Sequence, residues 1–266
     1  MNSPKKQFHL LLLIFVLSGF AGLIYQSIWS HYLGLFLGHA AYAQALVLSL
    51  FMGGMAIGAG LVARFGIRWI NLVRGYAIVE GVIGILGLVF HLLFVGALGF
   101  SYETVMPALG DPLLVNGYKW ALAVVLILPQ TILLGMTFPL MSGGLIRRRR
   151  DQDGDSLGAL YFANSAGAAV GVLVATFVLL PMFGLPGSMI GAGVINLLVA
   201  GAAWWVSQDQ EALPVNDYSS TVSDSNSGGR RLLRVVVLAT LFSSAASFAY
   251  EILFVRMLSL AVGSTL

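Results

Sequence analysis

Leu17-Ser18-Gly19-Phe20-Ala21-Gly22-Leu23-Ile24-Tyr25-Gln26-Ser27-Ile28-Trp29 is apolar enough to sit in a bilayer, yet it carries small residues, an amide and two amphipathic aromatics. A degenerate copy stands near the far end of the chain: Phe242-Ser243-Ser244-Ala245-Ala246-Ser247-Phe248-Ala249-Tyr250-Glu251-Ile252-Leu253-Phe254. Tyr25 falls on Tyr250, Gln26 on Glu251, Trp29 on Phe254 and Gly38 on Gly263. One complete repeat followed by the opening of a second accounts for both stretches.

The residues around these copies set the class. Hydrophobic residues make up 58% of the chain and charged residues 9%, against roughly 25% charged in a soluble domain. So few charges cannot cover a water-facing surface, and the chain reads as integral membrane. Cysteine is absent, which excludes a disulfide framework and a thiolate metal site. The histidines His9, His31, His39 and His91 show no ligand spacing, so no metal is expected. Gly191-Ala192-Gly193 follows no strand and is rejected as a dinucleotide loop. Nothing points to a cofactor in this chain or to nucleic acid. Lys5 and Lys6 ahead of an apolar run resemble a secretory signal, but the run passes Tyr25 and Trp29 without a small-x-small cleavage site. A retained helix is expected.

A bilayer core takes roughly 20 apolar residues per helix. That window selects Phe8–Leu33, Tyr42–Val62, Leu72–Leu98, Tyr118–Ile146, Leu157–Phe183, Ser188–Val206 and Leu232–Leu258. The stretch from Gly99 to Gly117 is expected to be a long connection, and 207–231, rich in Ser and Asp, a disordered cytoplasmic linker. Basic residues gather on one side when the N-terminus is cytoplasmic: Lys5, Lys6, Arg64, Arg68, Arg74, Arg147–Arg150, Arg230, Arg231 and Arg234. Lys119 falls on the other side, with Arg256 near the end of the seventh segment. The expected fold is an all-α integral membrane protein, a six-helix major-facilitator-like bundle over 1–206 plus a seventh helix, within 232–266, opening a second repeat.

Within this frame Glu80 is the sharpest residue, an ionisable side chain inside an apolar segment and one turn from Tyr76. Two readings are open: a functional carboxylate, or a hydrogen-bonded carboxyl tying helices together. Glu251 is the second intramembrane carboxylate. If both faced one cavity with Tyr25, Gln26, Trp29, Tyr76, Tyr161 and Asn164, the site would suit an organic cation, with aromatic faces adding cation–π attraction. Gly167 and Gly171 have small-xxx-small spacing, and Gly54 and Gly58 extend the same packing theme. Asn164, one turn before Gly167, is read first as part of that packing. Pro139 is expected to free a carbonyl that a hydroxyl such as Thr137 satisfies, kinking its helix. Between the second and third segments, Leu61, Arg64, Gly66 and Arg68 resemble the major-facilitator loop pattern, but Ala63 stands where that pattern has an acid. The arginine run 147–150 reads as a cytoplasmic anchor that also suits anionic lipid.

Leu17–Leu33, Phe51–Gly58, Leu134–Leu140 and Leu157–Gly171 with Leu180–Leu185, taken with Tyr76 and Glu80, resemble the membrane region of bacterial fused major-facilitator/spermidine-synthase proteins. The resemblance covers nearly all of 8–206 and resumes at 232–266. It implies a bacterial inner-membrane location and a cytoplasmic aminopropyltransferase-like domain using decarboxylated S-adenosylmethionine and putrescine. None of that domain's catalytic motifs occurs here, so this chain is not expected to be catalytic by itself. The implied role is a module that binds or carries a polyamine-like cation; the alternative is a non-transporting scaffold for a synthase domain or partner subunits. Because 263–266 corresponds to the point where an eighth helix would begin, the natural product is expected to be longer, or partners to cover the seventh helix.

Overall fold

The computed structural model describes residues 4–66, 69, 71–147, 153–208 and 227–262. The helices are α1 (Pro4–Leu37), α2 (Ala40–Phe65), α3 (Leu72–Phe100), α4 (Met106–Leu109), α5 (Pro112–Ile146), α6 (Asp153–Val174), α7 (Leu180–Gln208) and α8 (Ser227–Val262). Among the described residues, five helical stretches are long and apolar enough to cross a membrane: Gln7–Leu37, Ala40–Phe65, Leu72–Leu109, Pro112–Ile146 and Asp155–Gln208. A bilayer core offers the backbone no water, so each spanning stretch must close its hydrogen bonds along its own axis, which only a helix does within one segment. The described part of the chain is an all-α protein of membrane type.

The chain forms two compact units, Met1–Pro214 and Val215–Leu266. In the first, α1 is the central element: it packs on α6, α7 and α2 and touches α5. The other main pairings are α3 with α7, α2 with α5, and α3 with α5. The second unit contains α8, a single helix that includes the expected seventh segment. α7 runs on through Gln208 and α8 starts at Ser227, while 209–226 of the expected linker lies outside the described residues.

Two expectations are corrected. The stretch from Gly99 to Gly117 is not a loop. A π turn over Ser101–Val105 carries α3 into α4, and only Gly110 and Asp111 separate α4 from α5. Gly110 takes φ 64°, a conformation open to glycine. The Asp111 side chain accepts from the backbone N–H groups of Leu113 (2.7 Å) and Leu114 (3.2 Å), and Pro112 occupies the first helical position. Glycine, acid and proline in that order form a helix stop followed by a helix start, and the polar composition concealed it. Asp111→Ala should cost about 1 kcal/mol, seen as faster amide exchange confined to the first turn of α5.

The second correction concerns the carbonyl that Thr137 satisfies beside Pro139. α5 runs through both Pro129 and Pro139. The Thr137 hydroxyl donates to the Leu134 carbonyl at 2.7 Å, one residue before Gly135, whose carbonyl lacks its usual i+4 donor because proline has no N–H. The helical path breaks at Gly184, with φ 63° and ψ −171°. This break divides the path from α6 through the π turn Ala175–Leu179 into α7, between the fifth and sixth expected segments. The Ser188 hydroxyl donates to the Gly184 carbonyl at 2.7 Å.

Helix pairs meet at glycines. A Cβ at Gly167 would overlap the Val16 carbonyl oxygen, one at Gly171 that of Phe20, and one at Gly19 that of Asn164. α1 and α6 therefore approach backbone to backbone from both sides. Gly54 faces Thr131, Gly58 the Ile132 carbonyl, and Gly135 the Met55 backbone, which does the same for α2 and α5. Between two apolar helices in lipid there is little hydrophobic drive, so such close approach supplies much of the association energy.

Candidate functional site

Ser18, Tyr25, Tyr76 and Asn196 gather around Glu80, which sits on the face of α3 that meets α1 and α7. The Ser18 hydroxyl donates to Glu80 Oε1, and the Asn196 amide donates to Oε2. The Tyr25 hydroxyl in turn donates to Asn196 Oδ1 at 3.1 Å. Ser18 and Tyr25 come from α1, Glu80 from α3 and Asn196 from α7, so one chain of hydrogen bonds joins three helices. Tyr25, Glu80 and Asn196 are wholly buried and Ser18 nearly so. The Tyr76 hydroxyl is directed at the same Glu80–Ser18 pair without reaching full hydrogen-bond geometry.

Aromatic rings wall this network. Phe15 packs edge-on to Tyr76 with centroids 6.1 Å apart, and Tyr25 stacks on Trp29 at 5.6 Å. The Trp29 Nε1 donor is buried without a partner. Helix spacing is set beside the network by Gly84 and Gly193, each lying against the other's backbone carbonyl, and by Gly87, where a Cβ would strike the Tyr25 ring and hydroxyl. Farther along α1 and α3, Tyr32 and His91 Nδ1 pair at 2.8 Å. At the opposite end, the Arg147 guanidinium donates to the Trp69 carbonyl at 2.7 Å, and Arg74 lies 4.4 Å from the Trp204 ring.

Of the residues singled out from sequence, the structure brings Glu80, Tyr25, Tyr76 and Trp29 together. Tyr161 lies on α6, 67% exposed, with its ring against Phe138. Asn164 sits at the α1–α6 contact beside Gly19. Gln26 is half-buried one position past Tyr25. Glu251 belongs to α8 in the second unit, and the side chain of Arg256 is outside the described residues. Asn196 and Ser18 were missed. Asn196 carried the same signal as Glu80, a polar side chain in mid-segment, but an amide draws less notice than a carboxylate.

Chemically, the Glu80 carboxyl is held by uncharged donors in a dry setting. Polar groups so placed tie helices together, because their alternative is an unmet hydrogen bond in hydrocarbon. No cluster of His, Asp or Glu able to hold a metal ion occurs among the described residues.

Fold and network together define an all-helical protein of membrane type. No protein-family model matches the chain, and no solved structure matches it. Among curated proteins it is similar to polyamine aminopropyltransferase 1 of Streptomyces coelicolor, 28% identical over 193 residues, which is 72% of this chain and 33% of that protein. The chain thus spans about a third of the length of the curated relative it matches. A match of that length exceeds the whole of Val215–Leu266, so it runs largely through the helical bundle of the first unit.

Proposed function

We propose that this chain is the membrane module of an aminopropyltransferase-like protein, a helical bundle that holds the catalytic part of such a protein at the bilayer. The observation that carries an anchoring role over a carrying one is the engagement of both Glu80 oxygens by bonds between helices, with every side chain of the network buried. A carboxylate that received cargo would need an approach from water. In this proposal the first unit is a major-facilitator-like repeat and α8 opens a second. The N-terminus lies on the cytoplasmic side of a bacterial inner membrane, which sets Arg64, Arg74 and Arg147 toward a cytoplasmic partner. The similarity to a polyamine aminopropyltransferase supports the link to polyamine chemistry.

One observation favours a second reading, binding or carriage of a polyamine-like cation. The Tyr76 hydroxyl is buried at the Glu80 carboxyl without a full hydrogen bond, and Tyr25 stacks on Trp29; oxygen acceptors and ring faces of this kind are what a bound ammonium would use if α1 and α7 parted. Uptake of labelled putrescine and spermidine into vesicles holding the full chain distinguishes the two. The anchor role predicts uptake no greater than in empty vesicles, for the wild type and for Glu80→Gln alike. Uptake by the wild type that Glu80→Gln abolishes would establish the carrier instead.

A further inference from the structure

At the end of the bundle away from Arg64, Arg74 and Arg147, the turn between α1 and α2 and the first turns of α5 enclose a groove of about 620 Å³. His39 and Tyr42 line one side, and Leu113, Asn116, Gly117 and Trp120 the other. Its volume is that of a site for a sizeable small molecule, and its walls are mainly apolar. Tyr and Trp are the side chains that favour headgroup depth, where one end of a ring is wet and the rest is not. Gly117 leaves the groove open, since a Cβ built on it meets nothing within 4 Å.

The charge beside this groove selects its occupant. Between Arg74 and Arg147 the sequence holds one Lys or Arg, Lys119. It lies between the lining residues Gly117 and Trp120, and its ammonium stands 5.6 Å from the ring of Phe36, next to Leu37 at the groove's edge. Asp111 is nearby in the chain, but its carboxylate is occupied in capping α5; Glu103 lies on the π turn beyond α3. A single cation held at an aromatic rim above an apolar cleft suits a ligand with one anionic group and a hydrocarbon tail. We infer that the groove holds an acyl chain of an anionic phospholipid whose phosphate pairs with Lys119.

The test uses the full chain in detergent with added phosphatidylglycerol or phosphatidylcholine, reading retained lipid by native mass spectrometry. Phosphatidylglycerol should be retained in preference to phosphatidylcholine. Lys119→Gln should cut that preference about fivefold, the effect of one basic side chain near an anionic lipid. Gly117→Phe should abolish retention while leaving the unfolding temperature in plain detergent unchanged, because its ring enters open space. Equal retention of the two lipids by the wild type would overturn the inference. So would a preference untouched by Lys119→Gln, which would assign it to the arginines at the opposite end, or retention untouched by Gly117→Phe. Stabilisation by inorganic phosphate equal to that by phosphatidylglycerol would also overturn it.

Discussion

Replacing Gly167 with leucine is expected to abolish recovery of folded protein. The first atom of any side chain there meets the Val16 carbonyl oxygen, a backbone atom that cannot rotate away. α1 and α6 would have to separate, and the opposing contacts at Gly19 and Gly171 would separate with them. Overpacking a well-fitted contact costs about 1–3 kcal/mol where side chains can yield; with backbone on the far side the upper end is a minimum. With the close approaches at Gly19 and Gly171 lost at the same time, the combined cost becomes comparable to a total stability of about 5–15 kcal/mol, enough to lose the monodisperse peak in size-exclusion chromatography. Gly158→Leu on the same helix is the control, since a Cβ there meets nothing within 4 Å. Equal behaviour of the two variants would mean that the α1–α6 approach is not what holds the bundle together.

The second large effect is expected at Glu80, where size and polarity can be separated. Glu80→Ala strands the donors of Ser18 and Asn196 and leaves a cavity among α1, α3 and α7. Hydrogen bonds between membrane helices are worth about 1 kcal/mol each, and the cavity adds to the loss, for a total of about 2–4 kcal/mol. Glu80→Gln keeps the volume. Its carbonyl can accept from Asn196 while its amide donates to the Ser18 oxygen, so the cost should stay within about 1 kcal/mol. Thermal unfolding in one detergent measures both. If alanine and glutamine were equally damaging, a negative charge at Glu80, rather than hydrogen bonding, would be what the core requires.

The helices were legible because apolar length is a strong signal and the bilayer leaves the backbone no alternative. Their ends were less so. Glu103, Asp111 and two prolines made 99–117 look like a loop, although Gly110-Asp111-Pro112 carries the stop and start of adjoining helices. Glu80 and Tyr76 could be found because polar groups in such segments are expensive. Their partners could not, since Asn196 stands 116 residues from Glu80 and 171 from Tyr25, and nothing local to one segment encodes which distant face it meets. Tyr161 and Asn164 were grouped with the cluster for the same reason. Both lie in the right composition, but the rotation of α6 about its axis turns Tyr161 outward and sets Asn164 against Gly19.

Those separations also impose an order of events while the chain is being made. α1 leaves the ribosome first, with Tyr25 and Ser18 already on it, and α3 follows with Glu80. Asn196 arrives only with α7, after every other helix of the first unit. Until then Tyr25 has no acceptor from α7, and Glu80 has at most the α1 half of its bonds. A chain halted before α7 would hold an under-satisfied carboxyl inside the bilayer, a defect that the last helix of the unit removes.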